Sequence, residues 1–274
     1  MRGHTRWVSA ALLPDALAPL RDDPARAAVL LDIDGTLAPI VDRAADAHVS
    51  EPTRQLVIDV AKKYGLVACV TGRRASEARA MVSVGTVTYL GSHGAEVLRP
   101  GWLEPALDPE VKAWVDRMAA FGRDLDLAEM RRRRVRIEDK GPILAFHWRG
   151  APDQGAARAT VQAIATEAEK AGLRPHWGRK VLEVRPPVSF DKGSGVATLI
   201  RDADVDAALY VGDDRTDIDA FRALAELAES GTISRAVRVG VRSNEGPTEL
   251  AQETDFLIDG TDGVKRLLET LVAV

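Results

Sequence analysis

The sequence predicts an α/β protein, a doubly wound parallel sheet interrupted by an inserted α+β module. Three observations carry that prediction. Short, wholly apolar runs recur and stop at polar loop residues, as strands of a parallel sheet do when both faces are covered. Helical stretches alternate with these runs. The alternation fails over one internal stretch, where two candidate strands face each other across a tight turn.

The first strand is Ala27 to Ile33, a run that meets acid at Asp32 and Asp34 before Gly35. Ser50, Glu51 and Pro52 form a helix start, Leu56 and Val60 lie one turn apart, and Gly65 supplies a stop. Leu66 to Val70 is the second strand, ending at Thr71-Gly72-Arg73; Ala75 to Ser83 is a helix; Thr86 to Leu90 is the third strand, ending at Gly91. The same grammar resumes late in the chain. A helix over Gly193 to Arg201 precedes a strand over Ala207 to Val211, a helix over Thr216 to Ala228, strands over Ala236 to Val241 and Asp255 to Ile258, and a last helix.

Residues 98–187 break the rhythm. Arg133 to Glu138 and Ile143 to Trp148 read as neighbouring strands around Gly141-Pro142, Gly155 to Ala171 as a helix, and Val181 to Arg185 as a further strand. The expected organisation is therefore a core of residues 1–97 and 188–274 carrying the chemistry, and a substrate-specificity module of residues 98–187 acting as a lid.

Composition narrows the function classes. Hydrophobic residues are 46% and charged residues 28% of the 274, enough to bury a sizeable core and far from a disordered composition. A formal net charge of -4 argues against a general electrostatic grip on nucleic acid or an anionic membrane. The single cysteine, Cys69, excludes an internal disulfide and fits a reducing cytoplasm. Arg2 and Arg6 before Val8 to Leu13 faintly resemble an export signal, but Pro14 and Asp15 cut the apolar run short, so a short N-terminal helix is the reading. No stretch has the length needed to span a bilayer.

In open parallel sheets ligands bind beyond the carboxyl ends of the strands. Asp32 and Asp34 stand there after the first strand, Thr71 after the second, and Asp213, Asp214 and Asp217 after the strand ending at Val211. Two carboxylates about 4 Å apart repel by roughly 4 kcal/mol at an effective dielectric of 20, so such a cluster calls for positive charge. Oxygen donors without a His or Cys cluster select a hard cation, and a site that also awaits phosphate suits Mg2+. Lys192, after Asp191 at a helix start, supplies a second positive charge. Each feature alone has an ordinary explanation as a cap or a solvated side chain; their order along one sheet does not.

Asp32-Ile33-Asp34-Gly35-Thr36-Leu37, Thr71, Lys192 and Gly212-Asp213-Asp214 resemble the four motifs of the haloacid-dehalogenase-like phosphatases. That resemblance implies a Rossmann-like core with a C2-type cap. It implies Asp32 as covalent nucleophile, Asp34 as general acid and then base, Thr71 and Lys192 on the phosphoryl oxygens, and Mg2+ held by Asp32, Asp213 and the main-chain carbonyl of Asp34, with Asp214 and Asp217 behind them. Leu37-Ala38-Pro39-Ile40, Gly91 to Glu96, Lys140-Gly141-Pro142, His147-Trp148-Arg149 and Gly178 to Pro186 resemble the trehalose-phosphate phosphatases across nearly the whole chain. The subfamily implies Glu138, Lys140 and Glu183 on the sugar hydroxyls, with Gly72, Arg73, His93 and Arg149 as further substrate contacts. Trehalose 6-phosphate is then the expected substrate, in the last step of trehalose biosynthesis and with a functional link to a trehalose-phosphate synthase. A phosphatase for another sugar phosphate, such as sucrose phosphate, and an idle sugar-phosphate-binding regulatory domain stay open as alternatives. One departure is visible: Ile218 stands where the pattern carries an acid. The Arg131 to Arg134 run with Arg136, and Trp148 and Trp177, read as solvated face and packing.

Overall fold

The computed structural model describes residues 13–41, 46–243 and 246–273. Residues 2–12, on which the signal-like reading rests, lie outside them. In chain order the elements are helices α1 (Leu13–Ala16) and α2 (Ala18–Asp22), strand β1 (Ala27–Asp32), α3 (Glu51–Lys63), β2 (Leu66–Val70), α4 (Ala75–Val82), β3 (Thr88–Gly91), β4 (Glu96–Leu98) and β5 (Ala106–Leu107). There follow α5 (Pro109–Lys112), α6 (Val115–Arg123), α7 (Leu127–Arg132), β6 (Arg136–Asp139), β7 (Leu144–His147), α8 (Gln154–Lys170), β8 (Arg174–Gly178) and β9 (Val181–Arg185). The chain closes with α9 (Lys192–Arg201), β10 (Ala207–Gly212), α10 (Asp217–Glu229), β11 (Arg235–Arg242), α11 (Leu250–Glu253), β12 (Phe256–Asp259) and α12 (Gly260–Val272). Two compact units result, Met1–Ala106 with Phe190–Val274, and Leu107–Ser189.

In the first unit the sheet order is β12-β11-β10-β1-β2-β3-β4-β5. The pairings from β12 through β3 are parallel. Pleating sends alternate residues to opposite faces, and β1 divides accordingly. Ala27, Val29 and Leu31 join one apolar layer with Val57, Val60 and Leu268, while Ala28 and Leu30 join the other with Val196, Phe221 and Leu224. Every residue of β1 and β2 is buried, which is why both read as unbroken apolar runs. At about 25 cal/mol per Å2 of apolar surface, each such Leu or Val contributes roughly 1.5–3 kcal/mol.

The second unit holds an antiparallel sheet in the order β6-β7-β9-β8. Leu144, Phe146, Leu182 and Val184 turn one face onto Met118, Met130, Val161 and Ile164 from α6, α7 and α8. The alternation leaves Glu138, Ala145, His147, Glu183 and Arg185 on the other face.

Four local expectations are corrected. Residues 133–135 are not strand: Arg133 caps α7, Arg134 has φ +58°, and the Val135 amide bonds back to the Met130 carbonyl at 2.9 Å. The third strand begins at Thr88 instead of Thr86, because pairing with β2 starts at the Ala68–Thr88 register. The sheet is not wholly parallel, since the Ser92–Gly94 turn reverses the chain and β4 runs antiparallel to β3. Finally, α5, α6, α7 and β8 stand where the sequence pattern predicts no element. Among the described residues no helix is long and apolar enough to cross a membrane.

Candidate active site

Asp32 is the last residue of β1 and is buried; Ile33 fills the core, and Asp34 emerges half-buried. A tight turn follows, with the Ala38 amide on the Ile33 carbonyl at 2.8 Å and the Gly35 amide on the Ala38 carbonyl at 2.8 Å. Gly35 has φ +86°, and a Cβ there would overlap the Asp213 carboxylate. Glycine is therefore what lets the loops after β1 and β10 close on each other.

Lys192 opens α9. Asp191 caps that helix reciprocally, its Oδ1 accepting the Ser194 amide at 2.7 Å and its own amide reaching Ser194 Oγ at 3.1 Å. The cap fixes where the lysine starts, and its buried Nζ donates to Asp32 Oδ1 and Asp217 Oδ1, each at 2.7 Å. Asp217 takes two further kinds of bond. Tyr210 Oη donates to Oδ1 at 2.6 Å, and the amides of Asp213 and Asp214 donate to Oδ2 at 2.9 and 3.0 Å. Asp214 is exposed and its Oδ1 takes the Thr216 amide and hydroxyl, both at 2.7 Å, so it caps the turn into α10.

One ammonium thus faces several buried acids. Burial and Asp217 hold the Asp32 carboxyl well above the usual aspartate range against the pull of Lys192. Burial, Asp217 and Asp214 push Asp213 up to about 8. Burial opposes the ammonium of Lys192, but Asp217 and Asp32 outweigh it and raise the group above an ordinary lysine. One carboxylate oxygen from each of Asp32, Asp213 and Asp217 lies within 4.8 Å of the other two. Asp213 Oδ1 is buried without a hydrogen-bond partner among the described residues. An orphaned carboxylate oxygen inside a cluster of oxygen donors is what a hard divalent cation would satisfy, so these residues fit a metal.

Thr71 is buried after β2. Its amide bonds to the Leu90 carbonyl at 2.9 Å, its carbonyl takes the His93 amide at 3.0 Å, and its Oγ1 takes the Arg73 amide at 3.1 Å. Arg73 turns its guanidinium onto Asp34, Nε at 2.7 Å and NH2 at 2.6 Å from the two carboxylate oxygens. The His93 ring sits where a Cβ on Gly72 would come within 2.6 Å of it. Asp32, Asp34, Thr71, Gly72, Arg73, His93, Lys192, Asp213, Asp214 and Asp217 thus cluster at the carboxyl ends of β1, β2 and β10, joined by these bonds and contacts. Ile218 turns the other way, into the apolar layer with Phe221 and Leu224, and adds no ligand.

The remaining candidates belong to the second unit. Lys140 Nζ donates to Glu183 Oε1 at 3.0 Å, and Arg185 donates twice to Glu183 Oε2, at 2.6 and 3.1 Å. Glu138 Oε2 lies 2.7 Å from His147 Nε2, a bond that holds Glu138 below the usual glutamate range. Arg149 is exposed beyond β7. Glu96, His147 and Arg185 fall inside the motifs quoted above without an assigned role, and Tyr210 falls in none. Two-residue spacing from Glu183 carried the signal for Arg185, whereas Tyr210 reads only as another core aromatic.

A family model described as trehalose-phosphatase matches residues 30–257. The chain belongs to the trehalose-phosphatase family. It is 33% identical over 222 residues to probable trehalose-phosphate phosphatase D of Arabidopsis thaliana, covering 72% of this chain and 56% of the relative. Trehalose-phosphate phosphatase B of the same plant is 31% identical over 265 residues, covering 89% of this chain and 66% of the relative. The chain therefore spans roughly half to two thirds of the length of these family members. The C-terminal domain of C. albicans trehalose-6-phosphate phosphatase superposes with a TM-score of 0.73 at 20% identity, over 99% of both chains. A haloacid dehalogenase-like hydrolase from Bacteroides thetaiotaomicron gives 0.59 at 13% identity, over 88% of this chain and 98% of the other. The family member described here has the haloacid-dehalogenase fold with its additional α+β unit.

Proposed function

We propose that this chain hydrolyses trehalose 6-phosphate to trehalose and inorganic phosphate, with Asp32 as the covalent nucleophile. The observation that carries the reading is the buried pair of Asp32 Oδ1 and Lys192 Nζ at 2.7 Å, set beside the partnerless oxygen of Asp213. A lysine, a hydroxyl and a cluster of acids that calls for a cation make a phosphoryl site.

Asp32 attacks phosphorus, and the bond from phosphorus to the sugar oxygen breaks. Asp34 gives its proton to the departing oxygen, then takes one from the water that attacks the aspartyl-phosphate and frees Asp32. Arg73 orients the Asp34 carboxyl group for both transfers, and must yield an oxygen when Asp34 carries its proton. Lys192 and the Thr71 hydroxyl hold phosphoryl oxygens. Mg2+, the proposed ion, would be held by Asp32 and Asp213 and would supply charge that offsets the acids and the phosphoryl group. Asp217, with four hydrogen bonds already, supports the others without ligating.

Glu138, Lys140 and Glu183 are proposed to bind the glucose hydroxyls, because charged partners make stronger bonds to hydroxyls than neutral ones. The names of the family members support the trehalose ester as substrate, and the biosynthetic step is part of the proposal. A functional link to a synthase and a cytoplasmic setting belong to the same proposal, the latter supported by one buried, unpaired cysteine.

The test is phosphate release with Mg2+ from trehalose 6-phosphate, glucose 6-phosphate, sucrose 6-phosphate and p-nitrophenyl phosphate, with Asp32→Asn alongside. Preference for the trehalose ester, abolished by the substitution, is the expected result. Equal rates on all four would keep the mechanism and remove the substrate.

A further inference from the structure

Glu96 is a charged side chain sealed inside the first unit, 2% exposed, and the chemistry above makes no use of it. Its Oε1 accepts the Ala75 amide at 2.6 Å and the Ser92 hydroxyl at 3.1 Å. Burial raises it above the usual glutamate range, while the bonds from Ala75 and Ser92 pull the other way. Ala75 is the first residue of α4 and Ser92 begins the turn between β3 and β4, so one oxygen ties two loops together.

Those loops meet at every second residue. The Thr71 carbonyl takes the His93 amide at 3.0 Å, the Arg73 carbonyl takes the Ser92 amide at 2.7 Å, and the Ala75 amide goes to Glu96. Ser92 and His93 both hold left-handed conformations, φ +49° and +56°, which side-chain-bearing residues adopt at a cost the surrounding structure must offset. The same turn abuts the start of the Lys192 helix, since a Cβ on Gly94 would collide with the Asp191 carbonyl. The Glu96 bonds therefore close the Ala75 end of the Thr71 loop onto a turn that holds two strained residues.

We propose that Glu96 is a positioning residue for phosphoryl binding: its carboxylate locks the Thr71–Ala75 loop to the Ser92–Gly94 turn and thereby sets where the Thr71 hydroxyl stands. This rests on the reading of Thr71 as a phosphoryl ligand. Glu96 reaches neither phosphate nor sugar, so its loss acts equally on esters of any alcohol. A residue that recognises sugar cannot do that.

The experiment compares Glu96→Ala, Glu96→Gln, Ser92→Ala and Thr71→Val. For each, the inhibition constant of inorganic phosphate, KM and kcat on p-nitrophenyl phosphate and trehalose 6-phosphate, and the melting temperature are measured. Misplacement of a binding group by about an ångström costs up to roughly 100-fold. Glu96→Ala is expected to raise the phosphate inhibition constant about tenfold or more and to lower kcat/KM by one common factor on both esters. Glu96→Gln keeps an oxygen acceptor for both donors and is expected to return within about threefold of wild type, a rescue that loss of bulk stability would not explain. Should Glu96→Ala fail to fold, Ser92→Ala carries the test, with weakened phosphate inhibition expected and unchanged inhibition overturning the proposal. A folded Glu96→Ala protein with unaltered phosphate affinity, or a loss confined to the sugar ester, also overturns it. Weakened phosphate binding in Thr71→Val beside an unaffected Glu96→Ala overturns the positioning role alone. Unchanged binding in Thr71→Val overturns the reading of the loop and the proposal with it.

Discussion

Arg73 grips Asp34 through both carboxylate oxygens, with Nε and NH2 at 2.7 and 2.6 Å. A planar fork that matches a carboxylate fixes direction as well as distance, which a lysine cannot do. Both groups keep some exposure, 20% for the arginine side chain and 40% for the aspartate, so the pair is worth more as orientation than as stability.

Arg73→Lys is accordingly expected to lower kcat on a sugar phosphate by about tenfold to a hundredfold, part of the roughly 100- to 10,000-fold that a positioned general acid contributes. On p-nitrophenyl phosphate, whose leaving group needs little protonation, the loss should be smaller. Steady-state kinetics on both esters check this; equal losses would mean that Arg73 serves the phosphate rather than Asp34.

Removing Lys192 leaves two buried carboxylates facing each other. Lys192→Met is expected to destabilise the metal-free protein by about 3–5 kcal/mol, the cost of stripping one partner from a buried charge pair. Asp32→Asn should do the opposite. Because burial and Asp217 raise the Asp32 carboxyl, its charge opposes folding, and the neutral amide should leave the melting temperature unchanged or higher. Urea denaturation of both variants decides.

A divalent cation that binds only the folded protein stabilises it by about 2.7 kcal/mol at a hundred times its dissociation constant. Titrating Mg2+ is expected to raise the melting temperature of the wild type and to leave Asp213→Asn unmoved, since the amide no longer offers the negative charge of the carboxylate whose Oδ1 is orphaned. A wild-type melting curve indifferent to Mg2+, Mn2+ and Ca2+ would remove the metal from the proposal.

In the second unit Glu183→Gln should raise KM for trehalose 6-phosphate by about tenfold, equivalent to roughly 1.4 kcal/mol, and leave p-nitrophenyl phosphate untouched. Lys140 and Arg185, which both bond to this carboxylate, would lose their common acceptor charge.

Burial, with Asp32 nearby, pushes the Cys69 thiol from its ordinary 9.0 up to about 12. The thiol form is therefore favoured in the folded chain, and its contribution to stability is complete below pH 9 and declines as pH rises from 9 towards 12. At pH 8 the native protein should resist thiol reagents that label it at once in urea. Cys69→Ala should flatten part of the alkaline loss of stability measured between pH 9 and 11.

The parallel half of the molecule was legible because its strands are buried on both faces. Ala27 to Leu31, Leu66 to Val70 and Ala207 to Val211 can be nothing but apolar where both layers press on them, and the first polar residue after such a run is where the chain leaves the apolar layers for the ends of the strands. Asp32, Thr71 and Asp213 could thus be marked from position alone. Loops with demanding geometry were legible too, since Gly35 and the Asp191 cap leave a chemical signature.

What the sequence by itself determined is the order of elements and the identity of the groups brought to the ends of the strands. Which groups meet was decided only by the tertiary structure. Tyr210 and Asp217 are seven residues apart, Lys192 and Asp32 are 160 apart, and Arg73 and Asp34 are 39 apart. No local periodicity encodes such pairings. The antiparallel β4 and the helices α5 to α7 escaped for a related reason, as three-residue strands and four- to nine-residue helices hold their form through the neighbours they pack on rather than through their own propensity.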